Sequence, residues 1–130
     1  LGDVYKRQGQ STFMVEMTEV AEILQRATKS SLVILDEMFR GTNAKDAFEA
    51  SVAVNELLKE YSNCHFLIST HILEYAKAFE LDPFCCFYYM EAEIKDDNFV
   101  CPHRLQKGIS EARVGYWVVR KLLNMVELKK

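Results

Sequence analysis

The stretch "SLVILDEMFRGTN", residues 31–43, joins a run of aliphatic side chains to two adjacent carboxylates. Residues 32–35 are apolar at every position, which predicts a central strand covered on both faces of its sheet. Asp36 and Glu37 end that strand, and a turn with small residues follows. Two acids at such a point fit either a solvated strand end or the edge of a phosphate site, and the rest of the chain has to distinguish the two.

A helix is predicted directly before this strand. Ser11 or Thr12 is a natural N-cap, and apolar side chains recur after it at helical spacing. The predicted apolar stripe consists of Met14, Met17, Ala21, Leu24 and Thr28.

Helices and strands also alternate after the acidic pair. Asn43 is the predicted N-cap of a second helix, with Asp46 at its third position, and the helix ends near Ser62. Residues 64–70 predict a second buried strand, and residues 71–80 predict a short helix. Such alternation indicates an α/β unit with parallel strands. The predicted stripe of the second helix consists of Ala47, Ala50, Val54, Leu57, Leu58 and Tyr61.

The last third of the chain has a different pattern. Residues 84–94 and 98–108 are rich in aromatic and β-branched side chains and are separated by the turn-like "KDDN", which predicts an antiparallel hairpin at the sheet edge. A final helix is predicted from Ser110. Its apolar side consists of Val114, Trp117, Val118, Leu122 and Met125.

Composition limits the class of protein. A chain of 130 residues has the size of one domain, and no apolar run approaches the roughly 20 residues of a membrane helix. A net charge of -3 argues against a surface that binds nucleic acid by broad phosphate neutralisation. The four cysteines lie in strand-like stretches without a secretory signal, which favours reduced, buried thiols in a cytoplasmic protein.

Polar side chains follow both predicted parallel strands. Asp36 and Glu37 end the first strand, and His71 follows the second. Because ligands of parallel sheets bind outside the carboxyl ends of the strands, we expect these three side chains to meet at one edge. The set suits phosphoryl transfer, with Asp36 holding Mg²⁺, Glu37 orienting or deprotonating water and His71 bonding the γ-phosphate.

Three segments together resemble the ATPase domain of the MutS family, a branch of the ABC-type ATPases. They are "GQSTFMVEMTEVAEIL", "LVILDEMFRGTNAKDA" and "FLISTHILE", in this order, and the resemblance covers residues 9–125. The resemblance implies that Asp36 and Glu37 are the Walker B acids and that His71 is the switch histidine. It also implies that ATP and Mg²⁺ are the cofactors.

The resemblance further implies a dimer with composite sites. Residues 9–12, which include Ser11 and Thr12, match the signature loop that contacts the γ-phosphate of the partner subunit's ATP. A helix N-terminus suits that role because its free N–H groups and dipole attract anions. Residues 41–43 match the loop that faces the partner. The alternative for Ser11 and Thr12 is that they only cap the helix.

Two departures from the family pattern bear on function. No phosphate-loop motif occurs, so we expect residues 9–130 to be the C-terminal part of a truncated P-loop NTPase-like sheet flanked by helices, inactive in ATP hydrolysis on its own. Phe39 stands where mismatch-repair members have the first glycine of Gly-Arg-Gly-Thr, which suggests a MutS-like paralogue. Residues 1–8 follow no period and are predicted to be a flanking or non-native segment.

The implied function is that of a DNA-repair ATPase. ATP-driven closure of a homodimer, or of a dimer with a paralogous subunit, would be coupled to mismatched or branched DNA bound through domains missing from this chain. The alternatives are a non-catalytic interaction module with the same fold and another ABC-type DNA-associated ATPase.

Two further residue groups leave alternatives open. Arg40 could sense phosphate, lock the neighbouring loop, or pair with Glu37 or Asp46. Zinc binding by three cysteines and one histidine is disfavoured because no C-x-x-C spacing is present. That group consists of Cys85, Cys86, Cys101 and His103.

Overall fold

The aliphatic run at residues 32–35 forms a short strand between two helices. The computed structural model describes residues 12–127, which divide into two compact units between Cys85 and Cys86. Residues 1–8, Ser11 and the rest of the signature-like segment before Thr12 lie outside the described residues. The elements of the first unit are α1 (Thr12–Arg26), β1 (Leu32–Asp36), α2 (Ala44–Leu58), β2 (His65–Ser69) and α3 (Leu73–Ala78).

β1 and β2 pair in parallel, from Leu32 opposite His65 to Asp36 opposite Ser69. The predicted α/β unit with parallel strands is therefore confirmed for these two strands. The prediction that both faces of β1 are covered is wrong for the described residues, because Leu35 is 6% exposed whereas Ile34 is 65% exposed. Successive strand residues point to opposite faces, so α1 and α2 cover one face and leave the other bare.

The hydrophobic core lies between the covered face of β1 and the two long helices. Its buried members are Val20, Leu24, Val33, Leu35, Met38, Phe39, Ala47, Val54 and Leu58. The predicted stripe of α1 is partly wrong, since Phe13, Met17, Val20 and Leu24 face the core whereas Met14 and Ala21 are exposed. In α2, Leu57 is exposed, and Ser51 is buried with its hydroxyl donating to the carbonyl of Ala47 at 2.7 Å.

The start of α2 has the predicted cap. The side-chain oxygen of Asn43 accepts a hydrogen bond from the backbone N–H of Asp46 at 2.9 Å, and the Asn43 amide donates to the Asp46 carboxylate at 2.8 Å. One of the free N–H groups at the helix start is thereby satisfied. Asn43 as N-cap is confirmed.

α3 is shorter than the sequence predicts. The hydroxyl of Thr70 accepts a hydrogen bond from the N–H of Ile72 at 3.0 Å, which forms a turn at the end of β2. His71 therefore lies in that turn, and the helix begins at Leu73.

The second unit contains a hairpin and one helix. Its elements are β3 (Tyr88–Met90), β4 (Glu93–Lys95), β5 (Asn98–Val100), β6 (Leu105–Lys107) and α4 (Val114–Glu127). β4 pairs with β5, and β3 pairs with β6, both antiparallel, which confirms the predicted hairpin. Within the described residues, these strands form two separate two-stranded sheets.

The hairpin register changes between its two ladders. Asp96 and Asp97 both have positive φ, 51° and 59°, as a two-residue turn between right-twisted strands requires. Beyond this turn, residues 101–104 lie opposite residues 91–92, so the ladder is interrupted by a bulge in which His103 has φ 56°.

α4 begins after its predicted start. The hydroxyl of Ser110 accepts from the N–H of Ala112 at 3.2 Å, so Ser110 forms a turn before the helix and does not cap it. No residue of α4 is buried. Across residues 12–127, no helix combines the length and the apolar character that a membrane span requires.

Candidate functional site

The ends of β1 and β2 are joined by hydrogen bonds at one edge of the parallel pair. The hydroxyl of Ser69 donates to the carboxylate of Asp36, directly opposite it in the register. The N–H of Glu37 donates to both the hydroxyl and the carbonyl oxygen of Ser69, at 3.0 Å each. Both predicted acids therefore lie beside the end of the second strand.

Glu37 has an unusual backbone and a charged neighbour. Its φ of 44° lies in the left-handed region, and its carboxylate contacts the Arg40 guanidinium with an N to O distance of 2.5 Å. Of the alternatives for Arg40, the structure contains the ion pair with Glu37, whereas Asp46 bonds to Asn43. Arg40 is thus placed to orient the carboxylate.

His71 follows the end of β2 and lines a cleft with the loop after β1. The cleft has a volume of about 630 Å³, and Arg40 and Thr42 line it together with His71. Its floor is largely apolar and includes Phe39 and Phe48. His71 is exposed there, two residues beyond Ser69.

Thr12, the one described residue of the signature-like segment, lies against the loop after β1. A Cβ atom added to Gly41 would come within 2.5 Å of the Cβ of Thr12. The start of α1 and the loop that carries Arg40 are therefore in direct contact. Ser11 lies outside the described residues, so its predicted nucleotide contact stays a prediction.

The oxygen donors at the joined strand ends fit a magnesium ion. Asp36 offers an exposed carboxylate and Ser69 a hydroxyl, and Mg²⁺ prefers hard oxygen ligands of this kind. One protein carboxylate with substrate phosphates is a usual way of binding this ion.

Three of the four cysteines, Cys64, Cys85 and Cys101, make hydrogen-bond contacts of their own. Among residues 12–127, no group of three or more histidine, cysteine or acidic side chains could hold a metal ion. Cys101 donates to the carbonyl of Glu91 at 3.4 Å, and all four thiols are free. The prediction that the thiols are buried holds for Cys64 alone, since Cys86 is exposed and the other two are half-buried.

Sequence reasoning missed two residues near the acids. Ser69 had no assigned role, although a hydroxyl opposite Asp36 in a parallel register is a signal that could have shown it. Glu16 accepts a hydrogen bond from the N–H of Phe39. No sequence spacing indicates that contact, because it joins a helix to a turn far along the chain.

The comparisons with known proteins give one family. The family model described as MutS domain V matches residues 3–126. A DNA mismatch repair protein MutS from Sorangium cellulosum is 40% identical over 113 residues, which cover 87% of this chain and 12% of that protein. Proteins of the same name from Rhodopirellula baltica and Prochlorococcus marinus (strain AS9601) are 40% and 38% identical, over 87% and 82% of this chain.

This chain spans only 12 to 13% of the length of these three relatives. The similarity nevertheless covers most of the chain, and it includes the strands and the joined strand ends described above. The resemblance drawn from the sequence motifs is confirmed, and the chain belongs to the MutS family as a segment of the MutS domain V type.

Proposed function

We propose that this chain is part of the ATPase domain of a MutS-type DNA-repair protein. In that protein, ATP binding and hydrolysis drive closure of a dimer that binds mismatched or branched DNA. Family membership supports the proposal, as do relatives that are named for DNA mismatch repair. The single observation that carries it is the set of hydrogen bonds that hold Asp36 and Glu37 beside Ser69 at one sheet edge.

The proposed fold is a larger P-loop-type parallel sheet to which β1 and β2 contribute. Its nucleotide lies outside the carboxyl ends of these strands, where ligands of open parallel sheets bind. Thr12 and Ser11 would serve the partner subunit's nucleotide, since a helix N-terminus attracts phosphate.

Each residue at the strand ends has a proposed role. Asp36 would hold the magnesium ion, with the Ser69 hydroxyl fixing the orientation of its carboxylate. Bound magnesium supplies neutralisation of charge on the phosphate oxygens. Glu37 would orient the attacking water and accept its proton, and the His71 imidazole would donate a hydrogen bond to the terminal phosphate.

Arg40 bears on the action of Glu37. A carboxylate that is paired with a guanidinium is held in one orientation by charge-assisted hydrogen bonding. The contact with Arg40 therefore limits where the Glu37 carboxylate can point.

The test uses the full-length protein that contains this chain. Glu37→Ala should retain ATP binding and lower the rate of hydrolysis by about 10²- to 10⁴-fold, the usual contribution of a general base. Glu60→Ala, which alters an exposed acid just beyond α2, is the matched control and should hydrolyse ATP normally. Unchanged turnover in Glu37→Ala would remove Glu37 from its role. A wild-type protein that does not bind ATP would favour the non-catalytic interaction module.

A further inference from the structure

The turn after β1 has a backbone that few side chains adopt. Glu37 and Phe39 both have positive φ, 44° and 65°, in the left-handed region that disfavours side chains with a Cβ atom. Phe39 is also 1% exposed. Such a conformation persists only where surrounding contacts enforce it, and these residues border a proposed reaction site.

The contacts that enforce the turn come from the start of α1. The carboxylate of Glu16 accepts a hydrogen bond from the N–H of Phe39. The ring of Phe39 packs edge-on against Phe13, with ring centroids 5.5 Å apart and planes at 64°. Thr12 lies against Gly41. Side chains in the first turns of α1 thus contact the N–H of Phe39, the ring of Phe39 and Gly41.

The same turn fixes Glu37 from its other end. The N–H of Glu37 is bonded to Ser69, and only the buried Met38 separates it from the Phe39 N–H that Glu16 holds. Because both ends of this three-residue segment are fixed, its backbone sets where the Glu37 side chain leaves the main chain. A hydrogen bond to an ionised carboxylate is stronger and shorter than one between neutral groups, which suits Glu16 to this task.

We propose that Glu16 and Phe39 form a clamp that positions the Glu37 carboxylate by fixing the turn after β1 to the start of α1. Glu16 is then a positioning residue that acts through the backbone of Phe39. The proposal rests on the proposed function, in which Glu37 is the base and the start of α1 serves the partner subunit's nucleotide. A shift of α1 on binding that nucleotide would reach Glu37 through the clamp.

The clamp can be tested without nucleotide. In the full-length protein, hydrogen exchange measured by mass spectrometry over peptides covering residues 37–42 should be faster in Glu16→Ala than in the wild type. Glu16→Gln keeps an oxygen acceptor and should exchange at close to the wild-type rate. Glu22→Ala, an exposed acid on the same helix, is the matched control. Unchanged exchange in Glu16→Ala would overturn the clamp.

The positioning role is tested by steady-state ATP hydrolysis. Misplacement of a catalytic group by a small distance costs up to about 100-fold, so kcat should fall about 10- to 100-fold in Glu16→Ala, with KM for ATP nearly unchanged. Glu16→Gln should restore most of kcat. Glu16→Asp is a second variant to be used if Glu16→Ala does not fold. It keeps the charge but shortens the side chain, so we expect the same loss of kcat.

The outcomes separate the two proposals. Faster exchange with normal kcat in an active protein would make the clamp structural only and would overturn the positioning role, while the proposed function stands. A wild-type protein without ATP hydrolysis would overturn the proposed function itself, and the positioning role with it. A rise in KM for ATP together with a fall in kcat would point to lost nucleotide binding and would also contradict the clamp.

Discussion

At the scale of single residues, Gly41 shows how closely the start of α1 approaches the turn after β1. A Cβ atom at this position would come within 2.7 Å of the Cγ2 of Thr12 and 3.2 Å of the backbone nitrogen of Phe13. Real Cβ atoms essentially never approach other atoms to less than 3.0 Å, so either the loop or the helix would have to move. Glycine is required here by space, independently of its backbone freedom.

Gly41→Ala should therefore destabilise the protein. Forced movement of packed groups costs about 1–3 kcal/mol, and we expect a loss of that size in the free energy of unfolding measured with urea. Gly115→Ala is the matched control, because nothing lies within 4 Å of a Cβ there, and alanine has the higher helix propensity. Equal effects of the two substitutions would contradict the close approach.

Tyr75, which is buried in α3, is a second residue whose contacts lead to a testable prediction. Its hydroxyl donates to the side-chain oxygen of Asn55 at 2.7 Å, and the Asn55 amide lies 3.6 Å from the sulfur of Cys85. Burial raises the pKa of Tyr75 from its usual 10 to about 12, with a smaller contribution from the charge of the Cys85 thiolate. The neutral phenol is therefore the form that the folded state prefers.

This raised pKa predicts a loss of stability in alkaline solution. The folded pKa lies above the unfolded one, so the contribution of Tyr75 is complete below pH 10 and is lost as the pH rises towards about 12. Tyr75→Phe should remove this part of the pH dependence and cost about 1–3 kcal/mol at neutral pH, because the Asn55 oxygen loses its donor. Urea unfolding across this pH range checks both effects. A wild-type curve that matches the variant's in shape would contradict the assignment.

At the scale of elements, the sequence predicted the structure correctly where contacts between residues close in the chain determine it. The side chain of Asn43 and the backbone of Asp46 satisfy each other within one helical turn, so the start of α2 could be predicted from the sequence. The parallel pairing of β1 and β2 also followed from the alternation of helices and strands. That pairing sets Asp36 opposite Ser69, and much of the strand-end geometry follows from it.

Predictions failed where contacts between residues far apart in the sequence determine the structure. Two members of the predicted α1 stripe, Met14 and Ala21, lie one residue away from the side chains that face the core, because contacts such as that of Phe13 with Phe39 determine which face of the helix is buried. The hairpin register could not be predicted because His103 adopts a left-handed backbone. The same holds for Glu37 and Phe39, whose conformations depend on Ser69 and Glu16 from other elements.

At the scale of the whole molecule, the bare face of the parallel pair is the feature that the described residues leave unexplained. Leu32, Ile34 and Leu67 are all more than half exposed on it, although their residue types are those of a covered strand. A sheet of the proposed P-loop type, with further strands and helices, would cover this face in a protein of the relatives' length. The proposed fold can therefore be tested by comparing the effects of substituting two neighbouring side chains of β1, one on each face.

In this chain, Leu35→Ala should cost about 2–5 kcal/mol because it empties space in the core, and Ile34→Ala should stay within about 0.5 kcal/mol because its side chain is exposed. In the full-length protein, the proposed cover predicts that Ile34→Ala becomes nearly as damaging as Leu35→Ala. The full-length protein is too large for two-state unfolding, so the local stability of β1 is measured there by native-state hydrogen exchange. Leu81→Ala, at a side chain 96% exposed, is the control and should be neutral in this chain. If Ile34→Ala were harmless in the full-length protein, the face would be bare there too, and a P-loop-type sheet that buries β1 on both sides would be wrong.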